Sequence, residues 1–144
     1  SFGLVNLDNQ DVTGYKFDEI LDWNDSVALV KQEDQWKLYD IKNDNYIFEG
    51  IDEYKILRND DVEKILLITK NSKSGILSNK HGEVVGATFN DIVNIGSLDH
   101  PVYFSEKYIQ EAEFYVVIYY DETGRILRKQ IFTEPEEYEK IYCG

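Results

Sequence analysis

Short apolar runs alternate with polar turns along the whole chain, each run a few residues long. Around the middle, Gly75-Ile76-Leu77-Ser78 is followed by polar Asn79-Lys80-His81-Gly82-Glu83, then Val84-Val85, then Phe89-Asn90-Asp91-Ile92. Runs of this length between turn residues suit strands, because an amphipathic helix needs a longer stretch at a 3.6-residue period. The stretch reads as a strand, a tight turn closed by Gly82, a second strand, and a tetrad with apolar residues outside and polar ones inside.

The same order recurs. With Leu4, Leu38, Ile76 and Ile118 taken as equivalent, at spacings of 34, 38 and 42, the turn residues Asn9, Asn43, His81 and Thr123 align. One position on are Gln10, Asp44, Gly82 and Gly124, and the following strand supplies Val12, Tyr46, Val84 and Ile126. Gly82 and Gly124 fit a type I turn closed by a bulge, where glycine takes the left-handed conformation; Asn43-Asp44-Asn45 suits the same turn. The tetrad appears as Phe17-Asp18-Glu19-Ile20, Ile51-Asp52-Glu53-Tyr54 and Phe89-Asn90-Asp91-Ile92, and again at Tyr138-Glu139-Lys140-Ile141.

A third strand follows in each copy, Val27-Ala28-Leu29-Val30 in the first and Ile65-Leu66-Leu67-Ile68 in the second. Between Val102 and Phe114 both periods are present, and strand, turn at Gln110–Glu113, strand is the preferred reading. Gly96-Ser97-Leu98-Asp99-His100-Pro101 reads as a loop. Thr133-Glu134-Pro135 reads as the start of a short helix, Thr133 capping it and Pro135 in the first turn. The expected fold is therefore all-β: an antiparallel hairpin and meander repeat array of about four three-stranded units, at 1–35, 36–72, 73–113 and 114–144. With no linker composition inside the chain, residues 1–144 are expected to form a single domain whose units share a core.

Composition narrows the partners. With 28 acidic against 15 basic residues the net charge is −13, opposite to what a phosphate backbone requires, so nucleic acid is set aside. No apolar run approaches a membrane span. Cys143 is the single cysteine, which rules out an intramolecular disulfide and a thiolate zinc site. The chain opens on Ser1 rather than Met and is read as a piece of a longer protein, with its compartment left open.

Phe2-Gly3-Leu4-Val5-Asn6, a turn, then Tyr15-Lys16-Phe17-Asp18-Glu19-Ile20 resembles the WG repeat family, bacterial β-rich repeats named for a Trp-Gly pair. Here Trp36 precedes Lys37, while Gly3 and Gly75 follow Phe2 and Ser74. Pro135-Glu136-Glu137-Tyr138-Glu139-Lys140-Ile141 is similar to the family's Pro-x-x-Tyr-Asp-x-Ile segment, with Glu139 in place of Asp. The resemblance implies an all-β interaction module, slightly favouring an extracytoplasmic location, with no shared active site to carry over.

Candidate chemistry is sparse. Asp18-Glu19, Asp52-Glu53 and Asn90-Asp91 put acidic neighbours on opposite faces of a strand, so a repeated structural role is favoured over acid–base work. Asp40-Lys42-Asn43-Asp44-Asn45 and Asn59-Asp60-Asp61 invite calcium but lack the glycine and distal Glu of an EF-hand, and turn chemistry explains them. His81 and His100 have no ligand-spaced partner, the serines lack a Gly-x-Ser-x-Gly setting, and Cys143 lacks an activated setting. No cofactor is implied. Trp23, Trp36, Tyr115, Tyr119 and Tyr120 either fill a thin core or form an interaction surface. The favoured reading is a non-enzymatic domain that binds another protein, with self-association through sheet edges also open. The alternative is a carbohydrate-binding module stacking sugars on Trp23 or Trp36. An enzyme with carboxylates in an inter-repeat cleft is the third.

Overall fold

The computed structural model describes residues 18–133, and all regular structure among them is strand. The strands are β1 (Glu19–Asp22), β2 (Val27–Gln32), β3 (Gln35–Asp40), β4 (Asn45–Ile51), β5 (Glu53–Asn59), β6 (Lys64–Lys70), β7 (Lys73–Ser78), β8 (Gly82–Phe89), β9 (Asp91–Asn94), β10 (Tyr103–Ile109), β11 (Phe114–Tyr120) and β12 (Ile126–Phe132). They form three four-stranded antiparallel sheets in chain order, β1-β2-β3-β4, β5-β6-β7-β8 and β9-β10-β11-β12. The chain divides into two compact units, Ser1–Lys55 with Ile68–Asn71, and Ile56–Leu67 with Ser72–Gly144.

The all-β meander is as expected, but the unit is a four-stranded sheet, not a three-stranded one. Leu38, Ile76 and Ile118 do occupy matching places, on the third strands β3, β7 and β11. The strands that the apolar pattern misses are β1, β5 and β9, each beginning inside a tetrad. All three are terminal strands of their sheets, so no neighbour covers one side and alternation is weak. β5 carries Glu53, Lys55 and Arg58 among its apolar residues, and β1 and β9 are only four residues long. Consequently each sheet takes its first two strands from one sequence copy and its last two from the next. The turn at 110–113 between β10 and β11 falls as expected, whereas the helix expected from Thr133 and the copies before Asp18 and after Thr133 lie outside the described residues.

The tetrads are the joints between sheets. Asp18, Asp52 and Asn90 stand immediately before β1, β5 and β9, and each donates its backbone N–H to the second strand of the sheet it enters. The acceptors are the Lys31, Thr69 and Glu106 carbonyls, all at 2.8 Å. Two joints add a side-chain clamp two residues further along: Asp52 Oδ2 accepts Asn71 N–H and Asn90 Oδ1 accepts Tyr108 N–H, each at 2.9 Å. A carboxylate and an amide oxygen serve equally, which is why either residue type recurs there.

The remaining turns follow local chemistry. Glu33-Asp34 and Asn71-Ser72 take positive φ at consecutive positions, the two-residue hairpin geometry that matches strand twist. Asn24, Asp60 and Asn94 each open the loop between the first and second strands of a sheet, and one side-chain oxygen accepts two backbone N–H groups in every case. Gly82 and Gly124 have φ of 79° and 90°, as the hairpin reading requires.

In the first unit, Ala28, Val30 and Tyr39 pack with Ile20, Ile41 and Tyr46. In the second, Ile65, Ile76, Val84, Val85 and Phe89 of the second sheet form one cluster with Ile92, Tyr103, Val116 and Ile118 of the third. Burying side chains of this size stabilises by roughly 1.5–3 kcal/mol each, so the interface between these two sheets dominates the second unit.

Candidate functional site

The antiparallel register of the third sheet sorts its side chains onto two faces. Tyr115, Val117 and Tyr119 alternate with Val116, Ile118 and Tyr120 along β11, and neighbours on a strand point to opposite sides. Tyr120 belongs to the inner face: it packs on the shared cluster and meets Phe89 edge-on at 5.9 Å between ring centroids. Tyr115 and Tyr119 lie on the other face with Phe104, Val117 and Phe132. Tyr119 contacts Phe104 edge-on at 5.4 Å, and Tyr115 lies 4.8 Å from Tyr108, its cross-strand partner. Tyr108 is one of the exposed large side chains. Folding the hairpin about residues 110–113 would have revealed it, because that turn puts position 108 opposite 115.

The two tryptophans lie in the first unit and are not surface twins. Trp23 is 5% exposed, so any stacking platform there would have to be built without it. Trp36 is half-buried on β3; Tyr54 meets its ring edge-on at 4.9 Å and the Lys31 ammonium lies 5.9 Å from its centroid. The expected five-residue surface thus separates into a buried Trp23, a half-buried Trp36, the pair Tyr115 and Tyr119, and Tyr120 on the reverse face of the same strand.

Beside the tyrosine face, β12 ends the third sheet. Its first four residues, Ile126, Leu127, Arg128 and Lys129, are all exposed, and so is Ile131. Consecutive exposure means that both faces of the strand meet solvent there. Pairing with β11 runs Phe132 opposite Tyr115, Gln130 opposite Val117 and Arg128 opposite Tyr119, so Phe132 alone of these turns under the aromatic face.

Polar groups elsewhere are engaged in holding turns. Asp40 accepts both the backbone N–H and the amide of Asn43, which holds its carboxyl below the usual carboxylate range. Asp44 accepts the Tyr39 hydroxyl, and burial together with that bond pushes the phenol up to about 12. Asp60 takes the Glu63 and Val62 N–H groups and the Arg58 guanidinium, and its carboxyl is likewise lowered. Asp121, at the β11–β12 turn, is lowered by the Thr123 hydroxyl and by the Arg125 and Thr123 N–H groups.

Among the described residues one carboxyl is buried. Glu63 accepts the Ser78 hydroxyl at 2.5 Å, and the same Ser78 oxygen accepts the Lys80 and His81 N–H groups at 3.1 Å. Ser78 therefore ties the β5–β6 loop to the β7–β8 turn, with its hydroxyl committed and itself fully buried. Nearby Tyr103 is pushed up to about 12, first by burial and then by the Glu63 and Glu122 charges. His81 lies in this turn, and His100 N–H bonds Ser97 Oγ at 3.0 Å in the loop after β9. Among the described residues no three His, Cys, Asp or Glu side chains gather at metal-binding distance, and Cys143 lies outside them. No helix among the described residues is long and apolar enough to cross a membrane.

Compared with known proteins, the chain matches no family model, no curated protein and no solved structure.

Proposed function

We propose that this chain is a non-enzymatic β-repeat domain that binds another protein. The observation that carries this reading is the concentration of apolar and aromatic side chains in solvent on one sheet. Tyr108 and, on β12, Ile126, Leu127 and Ile131 are large exposed residues of the third sheet, in a chain of net charge −13. Exposed aliphatic side chains together with tyrosines are what protein interfaces use. Rigid hairpins braced by side-chain-capped turns would present it without an ordering cost on binding.

Photo-crosslinking tests this reading. A crosslinking amino acid at Tyr108 or Leu127 is expected to trap one discrete protein species, and the same group at Lys80 is expected to trap none. Equal diffuse labelling from all three positions would overturn it. Quenching of tryptophan fluorescence by a polysaccharide, with no crosslink from any position, would favour the carbohydrate-binding alternative.

A further inference from the structure

Six strands end the three sheets, and five of them are shielded or short. β1 and β9 have four residues each. β4 is interrupted by register shifts against β3 and by Gly50 at a φ of 79°, and β8 by register shifts against β7. β5 mixes charges of both signs, and its Arg58 is held by Asp60 and Asp99 at 2.8 and 3.3 Å. These are the usual ways of blunting a row of unpaired backbone groups.

β12 is different. It has seven residues, and five of them, Arg128–Phe132, run in unbroken register with β11, the one shift falling beyond them at Leu127. Its exposed residues combine three aliphatics with two cations: Ile126, Leu127, Arg128, Lys129, Ile131. From Arg125 to Phe132 the chain holds three cations and no acid. The Gln130 amide, in the orientation that satisfies both of its polar atoms, accepts Arg128 Nε–H and Nη2–H through its oxygen at 3.2 and 2.6 Å. Two carboxylates lie at the adjoining turn, Asp121 and Glu122, and Asp121 is occupied by N–H groups of that turn. A protective edge would carry charge in place of aliphatic residues; this one carries both.

We propose that β12 is a docking edge that receives an extended, acidic segment of a partner protein as an additional strand of the third sheet. This deepens the protein-binding function above and rests on it. Backbone groups along the outer side of β12 supply the pairing; Ile131 contacts apolar residues of the incoming strand on the face it shares with Lys129, and Arg128 selects carboxylates on the opposite face. A second copy pairing through its own β12 fits less well, because Arg125, Arg128 and Lys129 would then face the same cations.

The test uses two fluorescein-labelled octapeptides, one alternating Val with Glu and one alternating Val with Lys, titrated by anisotropy against the full chain. The acidic peptide is expected to bind at least roughly tenfold tighter than the basic one, and to weaken as salt rises. R128E/K129E, on exposed positions, is expected to remove that preference, and Ile131→Pro to abolish binding of the acidic peptide while the circular dichroism stays native. Equal affinity for the two peptides, or binding unchanged in both variants, would overturn β12 as an acidic docking edge. So would a dimer of the full chain that dissociates on R128E/K129E. None of these outcomes touches the photo-crosslinking result, so a protein partner captured at Tyr108 would survive the loss of this edge.

Discussion

The first and third sheets share a wiring plan and differ in what they place at their margins. Both are four-stranded meanders entered through a tetrad, with an Asn-capped loop between their first and second strands. The first sheet ends in β1, four residues with Glu19 and Asp22 at its tips, and in the bulged β4. The third ends in β12, whose Ile126, Leu127 and Ile131 are each more than half exposed. Turn and joint chemistry therefore fixes the plan, and the residues at the margins differ. The clusters differ too: the one around Tyr39 lies within the first unit, whereas nine buried residues of the other come from two sheets.

The largest expected effect sharpens that contrast of cores. Ile118→Ala removes a side chain from the nine-residue cluster and is expected to cost ~2–5 kcal/mol in urea unfolding. Ala28→Gly, in the smaller cluster, is expected to cost ~0.5–1 kcal/mol, the backbone penalty of glycine in a strand plus little lost volume. Equal losses would mean that the shared cluster is not what stabilises the second unit.

Next come the two hairpin glycines. A Cβ at Gly124 would stand 2.6 Å from the Val84 carbonyl oxygen, whereas one at Gly82 would meet nothing within 4 Å. Gly82→Ala is expected to cost ~1–2 kcal/mol from the left-handed backbone alone. Gly124→Ala should cost more, because the β11–β12 turn must also move off β8. The same order in thermal unfolding would check it; identical shifts would show that the close approach is relieved without cost.

The joints give a smaller effect. Asn90→Ala frees the Tyr108 N–H and is expected to cost ~0.5–1.5 kcal/mol, because the bond is solvent-exposed. Asp52→Asn is expected to be near neutral, since Asn90 makes the corresponding bond as an amide. A loss for Asp52→Asn as large as for Asp52→Ala would show that the charge, not the acceptor, matters at the joint before β5.

The smallest effect appears only in alkali. Tyr39 and Tyr103 are both raised from 10.0 to about 12, so each stabilises fully below pH 10 and that contribution is lost as pH rises from 10 to 12. Tyr103→Phe is expected to flatten the alkaline fall in stability of the second unit and Tyr39→Phe that of the first. A fall unchanged in both variants would place its origin in other groups.

The sequence shows its repeat through residues whose role is local. Gly82, Gly124 and the turn at 110–113 were legible because a hairpin of that geometry restricts the residue types. Leu38, Ile76 and Ile118 aligned because central strands are covered on both sides. Edge strands β1, β5 and β9 lack that signature, so the sheet boundary was displaced by two strands. Trp23 and Trp36 look alike in the sequence; only packing distinguishes the buried ring from the half-buried one. Likewise, Gly124's close approach to Val84 spans 40 residues of chain, and no local pattern encodes it.

Native-state hydrogen exchange on Ile118→Ala most directly tests whether successive sheets create an interior that neither possesses separately. Shared burial predicts that amides of Val85 in the second sheet lose protection together with those of Val117 in the third, by similar factors. Lost protection confined to β9–β12, with Val85 exchanging as in the parent chain, would contradict it.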